Sequence, residues 1–389
     1  MRVSRRAGAV AITATVALVA AGCSSKSDGG STTTSTASSS NASITIYGGQ
    51  PENGLIPANT TETNGGKVID YMWTGLVSYP NNGGAPVNAL ADSITTTDSK
   101  VYTIKIKPNT KFHDGTVVKA ENFVKAWNWD ALATNNQSNA SFFSDIQGFS
   151  DVNPSPPAGS DKAPAPKAKE MSGLKVVDDN TFTVTLNAPF SIFPTKLGYS
   201  AFMPLPDAFF TSTPDAFGKH PIGNGPVKFV SWVDNQDIKL TRFDDYKGDD
   251  KVKFKNLDIK IYSSQETAYQ DLLSGRLDFM EALPPSAVSG GKYKNDLGDR
   301  LVTGHLLGIS TIAVPYYVPG YNNLELRKAI SMSIDRAQIT KTVMNDTYVP
   351  ADGYISQGIQ GAREGVCKFC KFDPVAAKEA FQKSGFQAS

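Results

Sequence analysis

Apolar and polar positions along the chain fall into two periods. Ile44 to Tyr47 alternate, as do Tyr102, Ile104 and Ile106 with Thr103 and Lys105, and Phe182, Val184 and Leu186 with Thr181, Thr183 and Thr185. A period of two places every second side chain on one face, so each run predicts a half-buried strand. Val68, Ile69, Met72, Trp73, Leu76 and Val77 recur at helical spacing, which predicts an amphipathic helix over residues 66–78. A second helix is predicted over residues 121–132, with Phe123, Val124 and Trp127 inward. Residues 223–233 and 238–243 read as a hairpin, and residues 277–280 as a short strand.

Local signals punctuate these runs. Phe112-His113-Asp114-Gly115 reads as a turn on its Asp-Gly pair. Ser263-Ser264-Gln265-Glu266 has the spacing of a capping box, opening a helix through Leu272 and Leu273 that stops at Gly275. Further helices are expected from Asn323, from Asp335 and from Asp373-Pro374, the last ending near Gly385. Residues 54–65 and 80–86 read as loops, and residues 151–169, with five prolines, as an exposed excursion. Strands with helices placed irregularly among them predict mixed α/β architecture rather than a regular βαβ alternation.

The N-terminus changes the picture. Arg2, Arg5 and Arg6 precede an apolar run of about fourteen residues, 8–21, the pattern of a secretory signal and too short to span a bilayer. The run ends in Ala20-Ala21-Gly22-Cys23, which resembles a bacterial lipobox, in which the cysteine takes a lipid on its sulfur. Ala20 departs from the leucine preferred there. Residues 24–41 include twelve Ser or Thr and have no apolar period, so residues 23–42 are expected to form a flexible tether after a signal peptide over 1–22. The chain is then expected outside the cytoplasm, held to the cell membrane by its N-terminal lipid.

Composition narrows the chemistry. The 389 residues suffice for two or three domains, and 40% are hydrophobic. Without the first 22 residues, 35 basic residues face 37 acidic ones, a balance with no electrostatic bias towards nucleic acid. Nucleophile-elbow, zinc-protease and phosphate-loop motifs are absent, and Gly223-Asn224-Gly225 lacks the third glycine of a dinucleotide fingerprint. His113, His220 and His305 lie far apart in sequence, which leaves a site assembled by the fold open, with loop or surface roles favoured for each. Cys367-Lys368-Phe369-Cys370 is open to redox or zinc use. In an oxidising compartment, with Cys23 lipidated, a local Cys367–Cys370 disulfide is the favoured state. No cofactor or metal is called for.

Several motifs taken together resemble a known family. They are Leu90-Ala91-Asp92, the strand Val101 to Lys107 with Pro108, Lys111-Phe112-His113-Asp114-Gly115-Thr116, and Ala120-Glu121-Asn122-Phe123-Val124. Asn224-Gly225-Pro226-Val227 with Trp232, Asp245-Tyr246-Lys247-Gly248, Leu273-Ser274-Gly275-Arg276-Leu277-Asp278, Leu326-Arg327-Lys328-Ala329-Ile330 with Ile334-Asp335-Arg336, and Phe372-Asp373-Pro374 follow in order. This sequence resembles the extracellular solute-binding proteins of peptide and nickel ABC importers, the oligopeptide- and dipeptide-binding type.

The resemblance implies a bilobed, periplasmic-binding-protein-like α/β fold with an extra inserted domain. Lobe I would comprise residues 43–78 and 187–278, the insert residues 79–186, and lobe II residues 279–389. Relatives continue past the helix that ends near Gly385, so the second lobe is expected to be incomplete in this chain. The implied function is capture of a peptide between the lobes, largely by its main chain, and delivery to ABC permease and ATPase subunits, without catalysis and as a monomer. Thr61, Glu62 and Thr63 align with a segment that runs along the ligand backbone, Glu281 lies at the crossing between lobes, and Ser310 and Thr311 fall near a ligand-facing strand of the second lobe. Glu62 and Glu281 are the acids expected to meet a cationic ligand group. The same fold serving a nickel chelate, a glycoside or a signalling peptide remains open, as does a secreted hydrolase with a scattered site.

Overall fold

The computed structural model of the protein describes residues 41–80, 84–304, 307–359 and 361–387. The expected signal segment, Cys23 and nearly all of the tether lie outside these residues, as does His305. Ten strands are described: β1 (Ser43–Gly48), β2 (Val77–Ser78), β3 (Val87–Asn88), β4 (Ala91–Thr95), β5 (Val101–Ile106), β6 (Leu174–Asp178), β7 (Thr181–Thr185), β8 (Val227–Val233), β9 (Asp237–Arg242) and β10 (Asn256–Ile261). One sheet has the order β1-β10-β9-β8, with β1 and β10 parallel and the other pairs antiparallel. A second, fully antiparallel sheet has the order β4-β5-β7-β6, and β2 and β3 form a separate two-stranded pair. The fold is mixed α/β, as the irregular succession of periods predicts.

The alternating runs bury the side they should. Tyr102, Ile104 and Ile106 of β5 and Phe182 and Val184 of β7 are buried. They meet helix Ala120–Ala131, whose Trp127 sits among Phe123, Phe143, Phe182 and Phe202 at ring separations of 5.2–6.2 Å. The Trp127 indole N–H donates to the Phe202 carbonyl at 3.0 Å, so the one polar atom of that ring is satisfied inside the core. This core is continuous with that of the first sheet, through Val68, Ile69 and Met72 and through Leu240, Leu257 and Ile259.

Several elements depart from expectation. The helix predicted over 66–78 is Thr63–Met72. It stops because Gly223-Asn224-Gly225 competes for its end: Gly225 N–H takes the Met72 carbonyl at 2.7 Å, and the Asn224 amide bonds both N–H and C=O of Thr74 at 3.1 and 3.0 Å. A Cβ on Gly223 would lie 2.1 Å from the Met72 oxygen, so that approach requires glycine. Leu76 and Val77 are still buried, Leu76 in a bend and Val77 in β2. The capping box does not form. Ser264 is the N-cap of Gln265–Leu273 without a side-chain bond, and Glu266 instead accepts from the Ser286 hydroxyl at 2.7–2.8 Å. The strand expected over 277–280 is a single bridge from Phe279 to Ile46.

Beyond residue 280 the described chain contains helices and irregular segments only. A small cluster of Ala268, Tyr269, Leu272, Leu277, Met280, Ala287, Tyr293 and Leu297 is separate from the main core. Helices Leu324–Met332 and Pro374–Ser384 pack antiparallel through Ala329, Met332, Ala377 and Ala380. Asn323 joins their ends: its Oδ1 accepts from Glu325 and Leu326 N–H, and its amide donates to the Ser384 carbonyl at 2.8 Å. No helix among the described residues is long and apolar enough to cross a membrane.

Candidate functional site

The parallel strands β1 and β10 run out at Gly48 and Ile261, and each feeds a helix, Thr63–Met72 and Gln265–Leu273. The carboxyl ends of parallel strands are where α/β sheets open a crevice for a ligand. Tyr47 and Tyr262 stack there, ring centroids 6.0 Å apart. Tyr262 is held by its hydroxyl, which donates to Asp271 at 2.8 Å. Asp271 also takes Lys260 at 3.1 Å and Arg276 at 2.6 and 2.9 Å. The Tyr262 hydroxyl, then Arg276 and Lys260, hold its carboxyl down at about 2.

A crossing segment closes the outer edge of β1. Asp278 N–H and Phe279 N–H donate to the Thr45 carbonyl at 2.9 and 3.3 Å, Tyr47 N–H donates to Phe279 at 2.9 Å, and the Asp278 carboxylate accepts Thr45 N–H at 2.8 Å. That register carries Glu281 to the helix Thr63–Met72, where it forms an ion pair with Lys67. The Lys67 ammonium also donates to the Tyr47 carbonyl at 2.7 Å and lies 5.5 Å from the Tyr47 ring centroid. Its side chain is 15% exposed against 38% for Glu281, so the carboxylate is the wetter partner. One turn further on, the Tyr71 hydroxyl has a raised pKa, chiefly from burial and then from the charges of Glu281 and Asp70.

The sequence-predicted residues divide. Glu62 and Glu281 come to the same helix but in different roles. Glu62 is its N-cap, its carboxylate accepting from Asn64 N–H at 2.5 Å and Gly65 N–H at 2.7 Å, with a long contact to Glu52 N–H at 3.4 Å. Its carboxylate satisfies orphan backbone donors of the helix start, a role the sequence reading did not assign to Glu62. Thr61 and Thr63 flank it, both exposed. Ser310 and Thr311 do not join this group. They are exposed and irregular, and the ligand-facing strand expected there is not formed. A strand satisfies its backbone through a neighbour, and no strand is described beyond residue 280 to supply one. Cys367 and Cys370 are bonded to each other, far in sequence from the site.

His113 takes no part in it. Gly223 N–H donates to Nδ1 and Nε2–H donates to the Gly225 carbonyl, both at 3.1 Å, and the ring meets Phe243 edge-on at 5.0 Å. Burial brings its pKa down to about 4, with the Lys228 charge acting in the same direction and the bond to Gly225 opposing. Lys67 is the residue that sequence reasoning missed. A lysine near a helix start with no acid in the first turn opposes the helix dipole, which is the signal that it has other employment. The site as a whole offers an exposed carboxylate, a shielded ammonium and stacked phenol rings, the means of non-covalent recognition.

Comparison with known proteins places the chain in a family and a fold. Residues 85–389 match the family model described as bacterial extracellular solute-binding proteins, family 5 Middle. The oligopeptide-binding protein OppA of Bacillus subtilis (strain 168) is 28% identical over 340 residues, 85% of this chain and 59% of the relative. The periplasmic oligopeptide-binding protein OppA of Salmonella typhimurium is 27% identical over 315 residues, 78% of this chain and 56% of the relative. The chain thus spans less than two thirds of the length of these curated relatives. Among solved structures, the murein tripeptide binding protein MppA of Escherichia coli superposes with a TM-score of 0.75 at 22% identity, covering 90% of this chain and 68% of that one. Haemophilus influenzae OppA in complex with RPPGFSPFR gives 0.71 at 22% identity, with coverages of 89% and 67%. The fold is that of the periplasmic binding proteins, and by its match from residue 85 onwards this chain belongs to the bacterial extracellular solute-binding proteins of family 5.

Proposed function

We propose that the protein captures peptides at the carboxyl ends of β1 and β10, as the substrate-binding component of an ABC importer. The observation that carries this reading is the meeting of two distant segments there. The crossing at Phe279–Glu281 is zipped to β1, and Glu281 is held across helix Thr63–Met72 by Lys67. A ligand that engages either charge competes with this ion pair, so occupancy is coupled to the relation between the two segments. Main-chain hydrogen bonding of an extended peptide gives affinity without sequence selection, the property a general peptide carrier needs. Relatives named for oligopeptide binding support the ligand class.

The finer assignments follow from this reading. Thr61, Thr63 and Glu281 contact the ligand, and Glu62 shapes the helix start beneath it. Ser310 and Thr311 meet it from the second lobe. Residues 43–78 with 187–278 form lobe I, residues 79–186 the insert and residues 279–389 lobe II. The strands of each described four-stranded sheet come wholly from the first or the second of these groups, which supports the division. Cys23 carries the lipid, the body is held outside the cytoplasm on the membrane, and the loaded form is handed to a permease without chemical change.

Isothermal titration of the chain with a mixed pool of tri- to pentapeptides, beside nickel–histidine, tests the ligand class. Saturable heat with peptides is expected, and Glu281→Ala is expected to weaken it about tenfold or more, the scale of one charge-assisted hydrogen bond. Heat with the nickel complex and none with peptides overturns the peptide reading in favour of another solute on the same fold.

A further inference from the structure

A cavity of about 400 Å³ lies between the stretch Gly54 to Asn59, the segment Trp129 to Gln137 and the start of helix Pro214–Lys219. Its walls are braced. Asn139 donates from its backbone N–H to the Ala58 carbonyl and from its amide to the Thr60 carbonyl, both at 2.9 Å. The Ser138 hydroxyl donates to Asn59 Oδ1 at 3.0 Å, the Asn135 amide to the Trp129 carbonyl at 2.8 Å, and the Gln137 amide to the Asn135 carbonyl at 2.7 Å. Trp129 is held edge-on against Phe209, centroids 4.7 Å apart. These bonds fix which end of each amide faces the protein, and so which end is left over.

The groups left over are polar and include both donors and acceptors. The Trp129 indole N–H, the Asn136 amide, the Asp215 carboxylate, the Asn59 Nδ2 and the Asn135 Oδ1 make no hydrogen bond to another described residue, so they are available to a ligand. Gln137 Oε1 is buried and likewise unpaired. No lysine, arginine or histidine lines the cavity, so nothing in it favours an anion. The lining chain is a 3-10 turn on one side and a helix end with a second 3-10 turn on the other, so it presents no strand edge to which a peptide backbone could be added. Amides and a carboxylate around an indole instead match vicinal hydroxyls, each of which donates and accepts, and a sugar ring whose C–H face packs on an aromatic plane. The volume is at the low end of ligand cavities, room for one or two sugar rings.

From this we infer that the cavity beside Trp129 binds a neutral saccharide, separately from any peptide captured at Glu281. The chain is titrated calorimetrically with maltose, cellobiose and N,N′-diacetylchitobiose, with indole fluorescence followed in parallel. Saturable binding of at least one is expected. Asn136→Ala and Trp129→Ala should each weaken it about tenfold, the scale of one neutral hydrogen bond or a lost ring face, and Lys67→Ala should leave it unchanged. Because Trp129 is packed on Phe209, the exposed Asn136 and Asp215 provide variants, Asn136→Ala and Asp215→Asn, that leave that packing in place, and a thermal melt of each checks its fold, since Asn136 has a left-handed backbone at φ 51°. Absence of binding by all three sugars at tens of millimolar, or binding indifferent to both Asn136→Ala and Asp215→Asn, overturns the inference. A peptide pool titrated in parallel separates the two readings: saccharide binding with peptide silence supports this site and counts against the peptide reading alone.

Discussion

Residues 41–278 and residues 279–387 carry similar local signals and have very different interiors. In the first region both sheets share one continuous core, and Trp127, Phe123, Phe182 and Phe202 are fully buried. In the second, the helix pair buries only alanines, Leu326 and Met332, while Tyr317 is 80% exposed, Tyr354 88%, Val349 76% and Val375 69%. Among its described residues the second region has apolar side chains in number but no sheet to collect them. A helix closes its own hydrogen bonds and forms wherever its caps are sound, whereas a strand waits for a partner. Asn323, Asp335, Asp373 and Gly385 therefore specify helices in a region where Ile309 and Ile312, Ser310 and Thr311 remain irregular.

The contrast can be broken by measurement. The largest effect is expected from Trp127→Ala, about 3–5 kcal/mol of lost stability in denaturant titration, since the ring meets four others and its N–H is satisfied internally. A loss below about 1 kcal/mol would mean that this aromatic cluster is not packed in solution. His113 should make the same region acid-sensitive. Its folded pKa is about 4 against an ordinary 6.5, so the unfolded chain binds the proton first as pH falls. Stability is fully present above pH 6.5 and should decline by about 3 kcal/mol between about pH 6.5 and 4. In His113→Gln that slope should flatten, as read by thermal melts across the window, and an unchanged slope would assign it to other groups.

Smaller effects belong to the second region. The Cys367–Cys370 bond closes a short loop, for which the chain-entropy estimate is about 2 kcal/mol. Reduction, or Cys367→Ser with Cys370→Ser, should speed proteolytic cleavage within residues 343–373 and leave the main core's exchange-protected amides unaffected. Loss of protection at β5 or β7 would show that the regions unfold as one. The smallest effect is expected for Phe381→Ala, within about 0.5–1 kcal/mol by the same denaturant assay, because the ring is 44% exposed. A cost like that of Trp127→Ala would show that residues 279–387 possess an interior of their own in solution.

The candidate site was half legible. Glu281 and the start of helix Thr63–Met72 could be named from the chain, but their meeting depends on a register more than 200 residues long in sequence, from Lys67 to Glu281. Lys67 and Tyr262 had no motif to announce them, and the cap role of Glu62 needed the fold of residues 52–65. Leu257, Ile259 and Ile261 alternate along β10, so the strand that supplies half of the parallel pair also carries a local signal.

The sequence by itself determined the local periods, the caps at Asn323, Asp335 and Asp373, the turn at Asp114-Gly115 and the family motifs, because each depends on groups a few residues apart. Tertiary structure alone decided where helix Thr63–Met72 ends, which apolar runs become strands, and which carboxylate is spent on a helix start and which faces outward. Those outcomes are settled by competition for the same backbone and side-chain hydrogen bonds, and the winning partner, Gly225 for Met72 or Lys67 for Glu281, comes from a distant part of the chain.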